Sequence, residues 1–473
     1  MAVAEQQYDL VILGAGPAGY VAAIRAAQLG MRPACIERST ALGGTCLNVG
    51  CIPSKALLDS THLYHQITHK AKRHGINVES ASVDLQAMMA RKERIVTTLS
   101  RGVQGLLKKH GVALFSGTGF LEEPTVARVE GDAGTTRLRG TKVLLATGSV
   151  PRTGPHMALD GQRIVGSTEA LSLNAVPAHL VIVGGGCVGV EMASIWRRLG
   201  AAVTLIEAAP TLLPSLDPDV AKEAGRALSA IGVKLHTGTR AVSAVSDGSQ
   251  VRVATKPADN ETSAEAQEVT GDTVLIAIGR RPNTDGTGVA DLGVKLSEDG
   301  QVRVDEHLRC GVPGLWAAGD VVGAPMLAHK AYAEGVAAVE NMAGLPGYVN
   351  YRAIPQIVYT WPEAASIGMT EAQAIAAGHD VRTGKFAFAA NGRAKCLDDM
   401  DGFVKVLADR ATDRVLGVHI FGPHASALAG EAALAMEFDA SAEDIGAALH
   451  AHPTLNEAVK EAALDALGRV LHA

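Results

Sequence analysis

Two cysteines near the N-terminus have the spacing of a redox pair. Cys46 and Cys51 are separated by four residues in the segment GGTCLNVGCIPSK. This gap is longer than the two-residue gap typical of a zinc knuckle, and no second Cys/His pair follows, so we expect no metal. Lys55 and the N-terminal partial charge of the helix predicted there would lower the pKa of the Cys51 thiol. The pattern favours a redox disulfide, with two buried structural thiols as the alternative.

A histidine near the C-terminus could supply the base that thiol chemistry requires. His452 lies in the string HPTLNE, and an imidazole can accept a proton from an attacking thiol near neutral pH. A single histidine among the sixteen in the chain is more often a surface or core residue without such a role. Glu457 also has two interpretations, since it could orient His452 or complete a capping box with Thr454 as the N-cap.

Two segments predict the folds that would position these side chains. In each, an aliphatic run precedes three glycines spaced GxGxxG and a helical stretch, and an acid follows at the same distance behind the first glycine. Such glycines allow a tight turn, the approach of a pyrophosphate to the backbone and close packing of helix on strand, while the acid can bind ribose hydroxyls. The residues are Gly14, Gly16, Gly19 and Glu37 in the first copy and Gly184, Gly186, Gly189 and Glu207 in the second.

The repetition predicts that the chain binds two dinucleotides. Ordinary glycine turns are the alternative for one copy, but they do not account for two copies with the same spacing and the same acid. A protein that used only a nicotinamide would need one such fold. We therefore expect a resident flavin and an exchanging nicotinamide.

Composition narrows the class of protein. The length of 473 residues suggests about three domains, and 47% hydrophobic against 19% charged residues allows a large core. A net charge of −6 and 4% aromatic residues argue against a nucleic-acid partner. Six cysteines are too few for a secreted disulfide framework, and the apolar runs are far shorter than the ~20 residues of a membrane span. These features predict a cytoplasmic protein without a membrane segment, with a processed mitochondrial form left open.

With these motifs in place, the chain resembles the class I pyridine nucleotide-disulphide oxidoreductases, and within them the branch that oxidises dihydrolipoamide. The resemblance covers nearly the whole length, because five further blocks follow in order along the chain. The blocks are LLATGS from Leu144, IAIGRRPN from Ile276, LWAAGDVVGAPMLAHKAYAEG from Leu315, YTWPEAASIGMTEAQA from Tyr359 and HAHPTLNEA from His450.

The resemblance implies an α/β fold with two Rossmann-like dinucleotide-binding domains, for FAD and NAD, and an α+β C-terminal dimerisation domain. The expected FAD-binding domain covers residues 1–150, and the NAD-binding domain covers 151–280. A return segment at 281–350 would complete the FAD domain, and 351–473 would form the interface domain. The implied homodimer would carry His452 across its interface into the active site.

The resemblance also implies roles for individual residues. Cys46 corresponds to the interchange thiol that meets the substrate, and Cys51 to the thiol that faces the flavin. His452 corresponds to the acid/base, polarised by Glu457. The remaining contacts expected with FAD involve Gly44, Thr45, Lys55, Gly119, Asp320 and Ala328, and Gly279 is expected near NAD.

Lys55 and Glu191 correspond to an ion pair beside the flavin N5. Glu191 has a second interpretation, because it falls in the predicted first turn of the second glycine-motif helix, where an acid also suits the helix dipole.

The implied reaction is the oxidation of dihydrolipoamide, or of a protein-bound lipoyl arm, with NAD as acceptor. Glu207 would repel the 2′-phosphate of NADP, and Ala208, Ala209 and Pro210 supply no arginine to bind it. Subunits of a 2-oxo acid dehydrogenase complex are partners that the family leads one to expect. The alternatives are a glutathione-type disulfide reductase that uses NADPH and a non-catalytic flavin-binding redox sensor.

Overall fold

The computed structural model of the chain describes residues 5–132, 134–259 and 265–472. These residues form two compact units, each assembled from separate segments of the chain. The first unit contains the described residues through Leu57, with Leu85–Arg152 and Gly279–Val349. The second contains Leu58–Asp84, Thr153–Ile278 and the described residues from Asn350 onward. The assignment of a cofactor to each predicted domain stays a prediction.

The strands are numbered in chain order. They are β1 (Glu5–Leu13), β2 (Pro33–Glu37), β3 (Ala113–Ser116), β4 (Thr118–Glu123), β5 (Val126–Gly131), β6 (Gly134–Leu145), β7 (Ser149–Pro151), β8 (Ile164–Val165), β9 (His179–Val183), β10 (Ala202–Ile206), β11 (Val233–His236), β12 (Thr239–Ser246), β13 (Val251–Pro257), β14 (Gln267–Gly271), β15 (Thr273–Ile276), β16 (Arg280–Pro282), β17 (Leu315–Ala317), β18 (Gln356–Val358), β19 (Glu363–Gly368), β20 (Val381–Ala387), β21 (Phe403–Asp409) and β22 (Val415–Gly422).

The α-helices are numbered in the same way. They are α1 (Pro17–Gln28), α2 (Gly44–Val49), α3 (Cys51–His65), α4 (Leu85–Lys109), α5 (Ser167–Ala170), α6 (Cys187–Arg198), α7 (Pro218–Ala230), α8 (Ala328–Met342), α9 (Glu371–Ala376), α10 (Gly392–Leu397), α11 (Ala425–Glu437), α12 (Ala442–Ala447) and α13 (Glu457–Ala466).

The main sheet of the first unit has the order β3-β2-β1-β6-β5-β4. Strands β3, β2, β1 and β6 run parallel, whereas β5 and β4 continue as an antiparallel meander. The first half of β6 pairs with β5, and its last residues pair in parallel with β17. A strand from far along the chain therefore pairs with the end of β6, the strand next to β1.

The core of the first unit lies on both faces of this sheet. Alternate residues of β1 point to opposite sides, so Leu10 and Ile12 belong to one hydrophobic cluster, and Val11 and Leu13 to the other. Strand β1 is buried on both faces here because it lies at the centre of a parallel sheet, which explains its unbroken aliphatic run. On the first face, alanines of α1 pack against alanines of α8.

The second unit contains a parallel sheet and an antiparallel sheet. The parallel sheet has the order β11-β10-β9-β15-β8 and carries the second glycine motif at the end of β9, with the small sheet β12-β13-β14 beside it. The antiparallel sheet, β18-β19-β22-β21-β20, packs against α11 and α13. Helix α13 approaches β20 closely, since a Cβ at Gly384 would lie 2.1 Å from the Ala462 carbonyl oxygen.

Residues 58–84 belong to the second unit, although the predicted first domain ran continuously through residue 150. The reason is a set of contacts with the C-terminal part of the chain. The His62 ring packs against the Trp361 ring with centroids 4.2 Å apart, and Lys70 forms an ion pair with Asp399. Nothing in the local sequence signals these long-range contacts.

None of the helices in the described ranges combines the length and the apolarity that a bilayer crossing requires.

The contact between α1 and α8 leads to a stability prediction. A Cβ at Gly335 in α8 would lie 2.5 Å from the Ala18 carbonyl oxygen in α1, so Gly335→Ala forces the helices apart. We expect this overpacking to destabilise the first unit by roughly 1–3 kcal/mol and to lower its apparent melting temperature. The matched control is Gly102→Ala in α4, where no atom lies within 4 Å of the added carbon. The control should stabilise by about 0.5–1 kcal/mol through helix propensity. Equal stabilisation by both variants would contradict the packing argument.

Candidate active site

The first glycine motif forms a turn too tight for side chains. Gly14 has φ +104°, and a Cβ there would lie 2.4 Å from the Ala146 carbonyl oxygen. A Cβ at Gly19 would lie 1.8 Å from the Gly14 carbonyl oxygen, so α1 begins directly against the end of β1. The second motif repeats this geometry, with Gly184 at φ +110° and Gly189 packed on the Gly184 carbonyl. Both turns thus require glycine at the first and third positions.

The helices that follow the two motifs begin at a glycine rather than at a capping side chain. Helix α1 has Gly16 as its N-cap and α6 has Gly186. Among the described residues, no side chain caps either helix, and neither helix has an acid in its first turn. The first N–H groups of a helix have no partner within the helix, and together with the helix dipole they make each N-terminus suited to a phosphate group.

The two motif acids occupy matching positions. Glu37 accepts hydrogen bonds from the backbone N–H groups of Ala15 at 2.7 Å and Ser39 at 2.9 Å. Glu207 likewise accepts from two backbone N–H groups at 2.6 Å, those of Gly185 and Ala209. Each carboxylate is therefore fixed beside its glycine loop, and it retains lone pairs that could accept from ribose hydroxyls.

The two cysteines lie on adjoining helices and contact each other. Cys46 lies within α2, and Cys51 is the first residue of α3. A side-chain hydrogen bond with Cys51, together with burial, raises the pKa of the Cys46 thiol, whereas the charge of Lys55 acts in the opposite direction. Only one sulfur of such a pair readily becomes a thiolate, and the other then donates to it.

The cysteine segment packs directly on the first glycine loop. Gly44, the first residue of α2, has φ +63°, and a Cβ there would lie 2.6 Å from the Gly16 Cα atom. The two backbones therefore approach within the width of a side chain. A group bound along the Gly16 loop would lie next to the helix that carries Cys46.

A hydrogen-bonded chain of side chains extends from Asp320 toward the cysteine segment. The Ser149 hydroxyl donates to Asp320 at 2.5 Å, and the Arg280 Nε donates to the same hydroxyl at 2.7 Å. Arg280 also donates to the Ser149 carbonyl at 2.7 Å and to the Thr45 hydroxyl at 3.5 Å. Burial lowers the pKa of Arg280, and the charges of Asp320 and Cys51 oppose this shift. The chain thus places a guanidinium near the cysteine pair.

Two tyrosines also lie near the cysteines. Tyr20 and Tyr332 meet edge to face with ring centroids 5.9 Å apart. The pKa of Tyr332 is raised by burial, by its hydrogen bond with Tyr20 and by the nearby charges of Cys46 and Cys51.

The sequence analysis did not predict Ser149, Arg280 or the two tyrosines as site residues. Ser149 and Arg280 lie in the LLATGS and IAIGRRPN blocks, and the two adjacent arginines after the aliphatic start of the second block were a signal that could have identified Arg280. Tyr20 directly follows the first glycine motif and Tyr332 lies in the block that begins at Leu315, but neither position indicated a role for a tyrosine.

Four other residues of the first unit were predicted to contact a cofactor, and they lie on different elements. Lys55 lies one turn into α3, and Ala328 is the first residue of α8. Gly119 in β4 packs closely on Ile36, because a Cβ there would lie 3.1 Å from the Ile36 side chain. Gly279, at φ +110°, accepts a backbone hydrogen bond from Arg152.

Glu191 lies in the second unit, in the second turn of α6, so its predicted place in the first turn was wrong. Helix α6 begins at Cys187 because the glycine turn is tight, which places Glu191 one turn further in. The carboxylate is buried, and it accepts from the Tyr359 N–H at 3.0 Å and from the Cys187 thiol at 3.6 Å. Lys55 belongs to the first unit, so the Lys55–Glu191 ion pair stays a prediction.

His452 and Glu457 contact each other in the second unit. The His452 Nδ1 donates to Glu457 Oε1 at 2.9 Å, and the Thr454 N–H donates to Glu457 Oε2 at 2.9 Å. Helix α13 begins at Glu457 with Asn456 as its N-cap. Of the alternative capping box, only the bond from the Thr454 N–H to Glu457 is present, because the Thr454 hydroxyl contacts the Ala451 carbonyl instead. Burial acts to raise the pKa of Glu457, but the hydrogen bonds from Thr454 and His452 outweigh it, so this pKa is lowered. Glu457 thus orients the imidazole and also holds the backbone of the turn.

Two family models match the chain. The model of the pyridine nucleotide-disulphide oxidoreductase matches residues 8–335, and the model of its dimerisation domain matches residues 354–463. The chain belongs to the pyridine nucleotide-disulphide oxidoreductase family. Its two glycine motifs and its cysteine pair lie within the first match, and His452 and Glu457 lie within the second.

Individual relatives of this family are similar over nearly the full length. Dihydrolipoyl dehydrogenase 1, mitochondrial, of Arabidopsis thaliana is 46% identical over 98% of this chain and 91% of its own. Leghemoglobin reductase of Vigna unguiculata is 46% identical over 96% of this chain and 87% of its own. The crystal structure of LpdA from Mycobacterium tuberculosis has a TM-score of 0.89 at 29% identity, covering 97% of this chain and 99% of that one.

Enzymes of this family use FAD and NAD, and the residues of this chain fit both groups. The uncapped N-termini of α1 and α6 fit the two pyrophosphates, and Glu37 and Glu207 are held where a ribose can be bound. Gly16 and Gly44 carry no side chains, so none covers the backbone of the glycine loop where these two residues meet. No group of three or more His, Cys, Asp or Glu in the described ranges is arranged to hold a metal ion.

The contact between the two sulfurs leads to a prediction about thiol reactivity. In the reduced protein, Cys51→Ala removes the hydrogen bond that contributes most to the raised pKa of Cys46. The thiolate fraction at Cys46 should then increase near pH 7.5, and iodoacetamide should modify it faster, by about tenfold for each pKa unit recovered. Mass spectrometry of the Cys46 peptide measures the rate, and the exposed Cys396 in the same digest is the control. A modification rate at Cys46 that is unchanged or slower would contradict the assignment of a hydrogen bond between Cys46 and Cys51.

Proposed function

We propose that this protein oxidises dihydrolipoamide to lipoamide with NAD as acceptor, through a Cys46–Cys51 disulfide, FAD and His452. The observation that carries the proposal is the contact between the two cysteines beside the first glycine loop. The near full-length similarity to dihydrolipoyl dehydrogenases supports this reaction over the other disulfide reductions of the family. The roles of individual residues are part of the proposal.

The thiol exchange follows from the residues of the pair. With His452 as base, one thiol of dihydrolipoamide attacks Cys46 and forms a mixed disulfide, while the Cys46–Cys51 bond breaks and Cys51 leaves as a thiolate. The second substrate thiol then attacks its own sulfur in the mixed disulfide, which closes the lipoyl ring and leaves Cys46 reduced. Two electrons have then moved from substrate to cysteine pair. The Arg280 cation, whose charge interacts with Cys51, would stabilise the Cys51 thiolate, and Lys55 one turn further along α3 would add to this.

The cofactors complete the cycle. FAD and NAD, when bound, supply the acceptors that return the cysteine pair to its disulfide. In the first unit, Glu37 would bind the FAD ribose and the N-terminus of α1 its pyrophosphate. Asp320, fixed by Ser149, would contact the ribityl chain. Gly44, Thr45, Gly119 and Ala328 would add close contacts along the same group.

Glu207 favours NAD over NADP. Both of its oxygens bind backbone N–H groups, so the carboxylate cannot readily turn away from an incoming ribose. A 2′-phosphate would meet this fixed negative charge, and Ala208, Ala209 and Pro210 provide no cation in compensation. This argues against the alternative of a glutathione-type reductase that uses NADPH. The sensor alternative is disfavoured because the cysteine pair, Lys55 and His452 are all present.

The partners follow from the same assignment. We propose a homodimer in which His452 serves the site of the partner subunit, supported by the match to the dimerisation domain. A protein-bound lipoyl arm and subunits of a 2-oxo acid dehydrogenase complex are further proposed partners. The predicted cytoplasmic location stays a prediction, since the names of several relatives place those proteins in mitochondria.

A side-by-side comparison of rates tests the reaction. We expect lipoamide with NADH to be turned over faster than glutathione disulfide with either nicotinamide, and NADH to be preferred to NADPH. A higher rate with glutathione disulfide and NADPH would instead support the glutathione-type reductase. Failure of dihydrolipoamide to reduce a protein that holds its full flavin would support the sensor.

The cysteine roles are tested by substitution. Cys46→Ser and Cys51→Ser should each abolish lipoamide turnover, because neither variant can form the disulfide, and both should keep their flavin through gel filtration. Cys396→Ser, an exposed cysteine outside the pair, is the control and should retain turnover. Loss of flavin in both pair variants would mean that the segment has a structural role.

A further inference from the structure

A second pair of histidine and carboxylate lies close to His452 in the chain. The His450 Nε2 donates to Glu431 Oε1 at 2.6 Å, and its Nδ1 lies 3.0 Å from the Ala448 carbonyl oxygen. Both ring nitrogens thus lie against an oxygen atom, and the two contacts together hold the ring in one orientation. The His450 side chain is only 7% exposed, in contrast to 78% for His452. The buried His450 side chain thus fixes the start of the turn at residues 450–456, which carries His452.

The same carboxylate also holds the end of the turn. Glu431 Oε2 accepts from the Asn456 side-chain amide at 2.6 Å, and Asn456 is the N-cap of α13. Glu431 lies in the middle of α11, which packs on the antiparallel sheet. One carboxylate on a packed helix therefore joins residues two before and four after His452.

Two further contacts fix the middle of this turn, but they do not hold the His452 side chain. The Asn391 amide donates to the Thr454 carbonyl at 3.0 Å, and Leu455 is buried in the core of the antiparallel sheet. The His452 imidazole is mostly exposed and is held by Glu457. Its position therefore depends on where the backbone between residues 450 and 456 is fixed.

We propose that Glu431 is a positioning residue for His452, which acts by holding both ends of the turn that carries it. A general base must lie within about 2.6–3.2 Å of the proton that it accepts, and a displacement of ~1 Å can cost about 10²-fold in rate. A single carboxylate that fixes both ends limits this displacement. The inference rests on the proposed role of His452 in dithiol oxidation.

The test compares the reduction of the flavin by dihydrolipoamide with the reduction of a dye by NADH, which does not involve the thiols or His452. In the holoenzyme, Glu431→Ala should lower the first rate by about tenfold or more and shift its pH profile, since the imidazole is displaced. The dye reaction and the dimer state in gel filtration should not change. Glu431→Gln, which keeps one acceptor oxygen, should lose less. His450→Gln, which leaves the other end intact, should lie between Glu431→Ala and the parent protein.

A double-mutant cycle separates positioning from general damage. His452→Gln should lower the dithiol reaction by at least ~10²-fold, and adding Glu431→Ala to it should cost less than about 2-fold more. The matched control is Glu437→Gln, an exposed acid at the end of the same helix, which should behave as the parent.

Three results would contradict the positioning role of Glu431 or the proposed function. An equal loss of dithiol and dye reactions in Glu431→Ala, or a full loss that persists in the His452→Gln background, would overturn the positioning role. If Glu431→Ala does not fold, the same criteria apply to Glu431→Gln and His450→Gln. A parent protein that reduces the dye but does not react with dihydrolipoamide would instead contradict the proposed function.

Discussion

The close approach of Gly16 and Gly44 is the constraint on which the first unit depends. A side chain at Gly44 would overlap the Gly16 Cα atom, so the helix with Cys46 can pack on the glycine loop only through bare backbone. This contact brings a predicted phosphate site and a pair of thiols into one region. The chemistry needs that proximity, because electrons must pass between the sulfurs and a group bound along the loop. The tight turn at Gly14 and Gly19 serves the same end by bringing α1 against the sheet.

Polar side chains then adjust the site that these backbone contacts create. Ser149 joins Asp320 to Arg280, and Arg280 reaches Thr45 beside Cys46. A half-buried cation near the cysteines favours a negative sulfur, whereas the hydrogen bond between the two sulfurs favours the protonated form of the other one. Together the two effects favour one thiolate and one thiol, which is the asymmetry that the proposed interchange reaction requires.

In the second unit, the main feature is the way in which an exposed histidine, His452, is held in place. The proposed role of His452 as a base requires an accessible side chain, and an accessible side chain has few packing contacts to fix it. Here the fixed points lie in the neighbouring backbone, through His450, Asn456 and Leu455, while Glu457 orients the ring. Buried partners thus position a side chain that is itself mostly in solvent.

The sequence by itself determined the local features of this protein. Short-range backbone geometry sets the two glycine motifs, their acids and the cysteine spacing. The aliphatic run of β1 reflects a strand that is buried on both faces. The motifs and this run can therefore be recognised from consecutive residues. Only the tertiary structure decided which distant residues meet. It brought β17 to β6, Arg280 to Ser149 and Glu431 to both ends of the turn around His452, and it placed residues 58–84 with the second unit. These contacts join segments tens to more than a hundred residues apart, and their energies depend on burial and on partners that no local pattern of residues encodes.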